Sequence, residues 1–243
     1  MDNFLVNIIS SVFREVYEKN KPYISNFLNT TEQELFVIEA KKYPSLTLTF
    51  DGGMANAEYQ KAIISPKNLD IKADITILKI SFNPRYLQLT HRNLLGSLIH
   101  LGIQRNRIGD ISVEETCAYV AVSSNLVLFI KENLTTIHHQ EVIISEMIEE
   151  ITLEDKGIEK TIFLQSNRLD SVIAQAYNIS REDSLALIKR EMVKVNQKVV
   201  IKSFQNLKPC DIISVAHKGR IKILDDSTTS RSGRIVMKIK IYR

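Results

Sequence analysis

Long apolar runs are missing from this sequence. The longest uncharged stretch, residues 116–130, is shorter than the ~20 residues a membrane-spanning helix needs, and Ser123-Ser124-Asn125 interrupts it. Glycine (8) and proline (5) are too scarce in 243 residues for long disordered tracts, while a hydrophobic content of 44% supports two or three compact units with real cores. The two cysteines, Cys117 and Cys210, form no C-x-x-C pair and fit a reducing compartment. Of the five histidines, His138 and His139 are adjacent, so their side chains diverge, and no nearby cysteine completes a zinc site; neither metal nor cofactor is expected. The start, "MDNFLVNIISSVF", has Asp2, no early cation and no small-residue cleavage site, which argues against a secretory signal. It reads as a helix with Phe4, Ile8, Val12 and Val16 on its apolar face. A soluble, cytoplasmic protein without membrane contact is expected, as a monomer.

What is present is charge, unevenly distributed. Residues 161–243 hold 16 Lys and Arg against 7 Asp and Glu, a net +9, whereas residues 1–160 hold 16 against 21, a net −5. The whole-chain value of +4 conceals this division. Solubility does not require one third of a chain to carry all the excess, and such a field suits a polyanion, nucleic acid being the commonest.

Within the basic third, "NISREDSLALIKR" (residues 178–190) predicts a short capped helix. Ser180 and Asp183 have the spacing of a helix cap, so the helix begins at Arg181, with Leu185 and Ile188 on one face and Leu187 to the side. Lys189 and Arg190 fall in its last turn, where the carbonyl end of the dipole favours cations. Arg181 sits at the positive end, and the expectation is an anion as its partner. Upstream, Leu169, Val172, Ile173 and Ala176 mark a second amphipathic helix that starts at Arg168 and stops at Asn178. Downstream, "MVKVNQKVVI" alternates around a turn at "NQK", "DIISVAHKGRIKIL" reads as two strands around Lys218-Gly219, and "RIVMKIKIYR" points Ile235, Met237, Ile239 and Ile241 inward. Two helices on a small antiparallel sheet is the economical arrangement.

The stretch "NRLDSVIAQAYNISREDSLALIKREMVKVN" resembles the S-four-type RNA-binding module, named after a small-subunit ribosomal protein. Arg168, Leu169, Asp170, Ser180, Arg181, Ile188, Val193, Val195 and Asn196 match its pattern. Glu191 stands where the family usually has glycine, and Ala216-His217 where it usually has Arg-Gly; Arg220 remains. The resemblance implies that Arg168, Arg181, Lys189 and the neighbouring cations Arg190, Lys194, Lys198 and Arg220, with Asn196, face RNA, and that phosphate is the anion opposite Arg181. Recognition would follow backbone shape and loop structure more than duplex sequence.

An N-terminal α/β domain is expected over residues 1–72. A helix begins near Thr31 at "TEQE" and ends before Pro44, "LTLTF" is a strand, "DGG" turns, and "YQKAIISP" returns. A phosphate-binding loop at Gly52-Gly53 is the alternative to a plain turn, but neither G-x-G-x-x-G nor G-K-[ST] follows. Residues 73–158 read as β-α-β-β-α-β: "DITILKI", a helix with Leu94, Leu95, Leu98 and Leu101 inward, "IGDIS", "AYVAV", "NLVLFIKENL" and "EVIISEM". That order predicts a ferredoxin-like plait, a fold widely used for RNA. No acid occurs from Ile75 to Gly109, while Lys79, Arg85, Arg92, Arg105 and Arg107 do; the aromatic pair of a base-stacking sheet is missing from "DITILKI". The whole chain is thus expected to be a multidomain α+β protein, with the S-four-type module at 161–243.

The segments "HRNLLGSLIHLGIQRNRIGDI" and "FDGGMANAEYQKAIISP", followed by an S-four-type module, resemble the YlmH family of bacterial RNA-binding proteins. His91, Arg92, Asn93, Gly96, Gly102, Arg105, Gly109 and Asp110 match its first motif, and Gly52, Gly53, Ala57 and Glu58 its hairpin, where Tyr59 replaces a usual arginine. The resemblance implies a non-catalytic translation factor that contacts rRNA and tRNA on the large ribosomal subunit and acts in ribosome-associated quality control, the rescue of obstructed subunits. The acid-free stretch places Arg92, Arg105 and Arg107 on an edge expected to contact RNA phosphate, and the resemblance adds His91. Three alternatives stay open. An RNA-modifying enzyme would need more than the 73 residues that follow Asp170 for a pseudouridine-synthase domain, and a methyltransferase would need a nucleotide loop where "TFDGGMAN" enters another strand; an acid-base role for Asp110 and His91 competes with turn chemistry at Gly109-Asp110. A ribosome-assembly factor and a cell-division scaffold without an RNA role are the other two.

Overall fold

The computed structural model describes residues 2–67, 69, 71–148, 151–153, 157–230 and 233–242. They form a mixed helix and sheet protein divided into two compact units, Met1–Leu153 and Glu154–Arg243. The first unit opens with α1 (Asp2–Lys19), β1 (Tyr23–Leu28), α2 (Thr30–Ala40), β2 (Leu46–Asp51) and β3 (Gln60–Pro66), whose strands make an antiparallel sheet in the order β1-β3-β2. The apolar face of α1 agrees with the expected one in Val12 and Val16, which pack on the core, but Ile9 and Phe13 take the places expected for Phe4 and Ile8. Ile9, Phe13 and Val16 are buried, whereas Phe4 is 74% and Ile8 42% exposed. Phe13 sets this choice by stacking on Tyr43 and tilting against Phe36, and two adjacent apolar stripes on one helix cannot both face a single sheet. The cap of α2 also differs: Asn29, not Thr31, accepts from the Glu32 amide at 3.0 Å, and the Glu32 carboxylate accepts the Asn29 amide at 2.8 Å.

Next come β4 (Ile75–Ser81), α3 (His91–His100), β5 (Ile108–Val113), β6 (Cys117–Ser123), α4 (Val127–Asn133), the short hairpin β7 (Thr136–Ile137) and β8 (Gln140–Glu141), and β9 (Ile143–Met147). The four longer strands are antiparallel in the order β5-β6-β4-β9, which is the plait arrangement of the β-α-β-β-α-β pattern. Leu94 and Leu98 of α3 are buried; Leu95 and Leu101 lie at the margin.

The N-terminal sheet and the plait share a core. Phe27 of β1 packs with Met54, Ala57, Ile77 and Ala121. Its ring lies against Gly109, at a register shift between β5 and β6, where a Cβ would stand 2.6 Å from the Phe27 Cε1 and 3.0 Å from the Ala121 Cβ. Next to this contact the Asp110 carboxylate accepts the Tyr59 amide at 2.8 Å, and the Arg105 guanidinium lies 4.2 Å from the Tyr59 ring centre. Burial pushes the Asp110 carboxyl above the usual carboxylate range, against the opposing pull of the Tyr59 amide. Lys61, 2% exposed, donates to Asp74 Oδ1 at 2.7 Å and lies over the Phe27 ring.

The second unit contains β10 (Ile158–Leu164), α5 (Leu169–Tyr177), α6 (Arg181–Lys189), β11 (Val193–Val195), β12 (Lys198–Val199), β13 (Ile212–Val215), β14 (Gly219–Thr229) and β15 (Ile235–Tyr242). Its sheet runs β10-β15-β14-β13-β11-β12, antiparallel throughout. Alternate residues Val193, Val195, Ile213, Val215, Ile221, Ile223, Met237 and Ile239 are buried with Leu169, Val172, Ile173, Ala176 and Ile188 of the two helices. Lys194, Arg220, Lys222 and Lys238 therefore fall on the sheet face turned away from the helices, and all four are exposed.

The Gly109 contact is testable. Gly109→Ala should destabilise the first unit by about 1–3 kcal/mol, because the Phe27 ring and Ala121 would have to move apart. Chemical denaturation of the full chain should show a lower midpoint for that unit alone.

Candidate nucleic-acid interface

Two helix starts meet at one buried carboxylate. Asp170, 1% exposed, occupies the first turn of α5, and its Oδ1 accepts Nε of Arg168 at 3.1 Å while its Oδ2 accepts a terminal nitrogen of Arg168 at 3.2 Å and Nε of Arg181 at 2.9 Å. Its Oδ1 also accepts the Ser171 amide at 3.0 Å. Burial works to raise the Asp170 pKa, but the Arg181 and Arg168 guanidiniums outweigh it and hold the carboxyl below the usual range. The Ser180 hydroxyl caps α6 by accepting the Asp183 amide at 2.9 Å. The anion opposite Arg181 is Asp170, from the same unit, where phosphate was the expected partner. Arg181 approaches the carboxylate through Nε, leaving its two terminal nitrogens on an exposed edge, and its side chain remains 57% exposed.

A loop from 200 to 207 closes over the same helix start. The amides of Leu169 and Asp170 donate to the carbonyls of Gln205 (2.9 Å) and Ser203 (3.3 Å), and Leu207 donates to Asn167 at 3.0 Å. Between these bonds Phe204 is 63% exposed, with Ile201 at 65%. Sequence reasoning missed Phe204; the signal was the absence of any acid from Met192 to Cys210, a stretch that also holds Lys194, Lys198, Lys202 and Lys208. It also missed Ser184, fully buried four residues before Ile188, whose hydroxyl lies 2.9 Å from the carbonyls of both Asp170 and Arg181.

The remaining expected residues fall into separate groups. Lys189 and Arg190 are exposed at the end of α6. Lys194, Ser214, Arg220 and Tyr242 are register neighbours across β11, β13, β14 and β15, with the Arg220 guanidinium 5.7 Å from the Tyr242 ring centre, on the sheet face opposite Arg168 and Arg181. Lys198 is exposed on the edge strand β12. Asn196 is occupied: its amide donates to Asp211 Oδ1 at 2.8 Å and accepts the Ile212 amide at 2.9 Å, clipping the β11 turn to β13. In the first unit His91 and Arg92 open α3, while Arg105 and Arg107 follow its end, about 15 Å of helix away. Arg107 donates to the hydroxyl of Ser123 and the side-chain oxygen of Asn125, and Arg105 donates to the Ile108 carbonyl as well as stacking on Tyr59. These two guanidiniums brace the plait's connections. Among the described residues no cluster of three metal-ligating side chains occurs, and no helix is long and apolar enough to cross a membrane.

Residues 66–151 match the family model described as "Putative RNA-binding domain in YlmH". The chain is 28% identical over 219 residues, covering 86% of it and 83% of the relative, to the ribosome-associated protein quality control protein P2 of Bacillus subtilis. A solved structure, the cell division protein YlmH from Streptococcus pneumoniae, superposes with a TM-score of 0.52 at 25% identity, covering 60% of this chain and 90% of that one. Residues 66–151 thus carry a domain of the YlmH RNA-binding type. The matched segment begins at Pro66, the last residue of β3, and covers the whole plait.

Because the folded Asp170 pKa lies below the unfolded one, its contribution is present above about pH 4 and is lost as pH falls through the depressed folded value. Asp170→Asn should cost about 1–3 kcal/mol at neutral pH and remove that acid-side slope, which denaturation from pH 7 down to pH 2 would resolve. Glu191 ends α6 in the left-handed region (φ 58°), a conformation glycine adopts without strain. Glu191→Gly should raise stability by about 1 kcal/mol, read as a higher thermal midpoint.

Proposed function

We infer that this chain is a non-catalytic RNA-binding factor of the ribosome, and that its C-terminal unit is an S-four-type module. The observation that carries this reading is the Asp170-centred pair of arginines. Arg181, fixed through Nε, offers both terminal nitrogens in a set direction, and Arg168, fixed through Nε and one terminal nitrogen, offers the other, so less side-chain entropy is lost when a phosphate arrives. Lys189, Arg190 and Lys198, exposed elsewhere on the same unit, add long-range attraction for a polyanion, and the exposed Phe204 offers a stacking surface for an unpaired base in the loop that covers the Asp170 helix start. The name of the Bacillus subtilis relative, a ribosome-associated quality control protein, supports a ribosomal setting. Within that setting we place this chain on the large subunit, contacting rRNA and a retained tRNA during rescue of obstructed subunits, in the cytoplasm.

Sedimentation with purified ribosomal subunits across a salt series tests the reading. Binding should weaken steeply with salt, each neutralised phosphate contributing about −0.7 to −0.9 to the slope of log affinity against log salt. The Arg168→Ala/Arg181→Ala variant should flatten the slope by roughly 1.5. Recovery on free large subunits carrying tRNA supports rescue, and recovery on immature particles would move the function to assembly. The name of the Streptococcus pneumoniae structure keeps a cell-division scaffold in view; salt-insensitive association without RNA would favour it.

A further inference from the structure

A second surface, in the plait, has the features of a nucleotide site. An open cleft of about 640 Å³ lies at the end of the sheet where β4 leaves and β9 enters, lined by Phe82, Asn83, Tyr86, His139, Glu141 and Ile143 among others. One wall is a rigid turn. Asn83 Oδ1 accepts the Arg85 amide at 3.0 Å, the Asn83 carbonyl accepts the amides of Tyr86 (3.1 Å) and Leu87 (3.0 Å), and buried Leu87 and Leu89 anchor the chain as it leads into α3. This turn holds Tyr86 outward, 71% exposed, next to the exposed Arg85. The facing wall is the β7–β8 turn, with His138 and His139 both in the left-handed region (φ 49° and 64°). His138 Nε2 lies 2.9 Å from the Asn93 side-chain nitrogen, which ties this wall to the first turn of α3, where Arg92 is exposed.

Large apolar side chains left exposed on a fixed turn or at a strand end cost hydration without any return in folding. Tyr86 and Ile143, at 71% and 74% exposure, bring no burial to the plait core. The chemistry of the walls suits a nucleobase: Tyr86 and the His139 imidazole offer ring faces, and Asn83 and Gln140 offer amide donors and acceptors. Glu141, the carboxylate on the lining, repels phosphate from the cleft floor but accepts hydrogen bonds from an exocyclic amine. Arg85 and Arg92 stand outside the floor, where a backbone would pass, in the acid-free stretch from Ile75 to Gly109.

We propose that this cleft takes an unpaired RNA base, stacked on Tyr86, with the flanking phosphates on Arg85 and Arg92; the inference rests on the reading of the chain as an RNA-binding factor but uses a different unit from the Asp170 site. It assigns the plait single-stranded or looped RNA, in place of a duplex whose bases are already stacked. Photo-crosslinking of the full chain to a short unstructured RNA carrying 4-thiouridine tests it. Crosslinks are expected in the peptides around 82–86 and 138–143, both in the native chain and in the Arg168→Ala/Arg181→Ala variant. In that variant Tyr86→Ala should weaken binding of the RNA roughly five- to hundredfold and Tyr86→Phe should restore it, since stacking needs the ring and not the hydroxyl. Crosslinks confined to 161–243, or an affinity unchanged by Tyr86→Ala, would overturn this site while leaving the Asp170 site intact. Absence of salt-sensitive RNA binding by the native chain would remove both.

Discussion

The C-terminal unit depends on one buried carboxylate. Arg168 and Arg181 sit at the starts of two consecutive helices, where the partial positive charge of each amide end already disfavours a cation. Asp170 makes that placement possible by binding both guanidiniums and staying ionised in a position with 1% exposure. The backbone is organised around the same centre: the Asp170 carbonyl receives the Ser184 hydroxyl, and the Asp170 amide bonds Ser203 in the loop that carries Phe204. Helix start, second helix and covering loop are thus fixed around a single side chain, which also sets the outward guanidinium edges. The proposed phosphate site is a consequence of the fold's own need to neutralise two charges.

In the first unit the cations are divided between packing and surface. Arg105 and Arg107 brace the connection from α3 to β5, and Arg105 also reaches Tyr59 in the segment between β2 and β3. With Gly109 admitting the Phe27 ring and Asp110 holding the Tyr59 amide, the motif that runs from Arg105 to Asp110 is largely the seam between the N-terminal sheet and the plait. The outward cations Arg85 and Arg92 lie at the other end of α3, beside the cleft lined by Tyr86 and His139. A family motif can therefore mark a packing requirement as readily as a ligand.

Where periodicity was strong the sequence was readable in detail. The stripe Leu169, Val172, Ile173 and Ala176, the Ser180 cap and the inward set of β15 all lie where alternation and spacing put them, because burial of one face dictates both the pattern and the fold. Reading failed where a choice depended on a distant partner. The face of α1 was settled by Tyr43 and Phe36, and the cap of α2 by the reciprocal bond between Asn29 and Glu32. Strand β1 and the two-residue strands of the β7–β8 hairpin offered too little alternation to stand out. The sequence offers candidate cations without their geometry: Arg168 and Arg181 converge on Asp170, whereas Lys194 and Arg220 lie across the sheet, and a charge count cannot separate the two faces.

A high-resolution structure of this chain bound to ribosomal RNA would examine the central claim most directly. The account predicts phosphate oxygens within hydrogen-bond reach of the terminal guanidinium nitrogens of Arg168 and Arg181, with both Nε contacts to Asp170 preserved. RNA lying only on the open sheet face around Lys194 and Arg220, with the two guanidinium edges left in solvent, would contradict it.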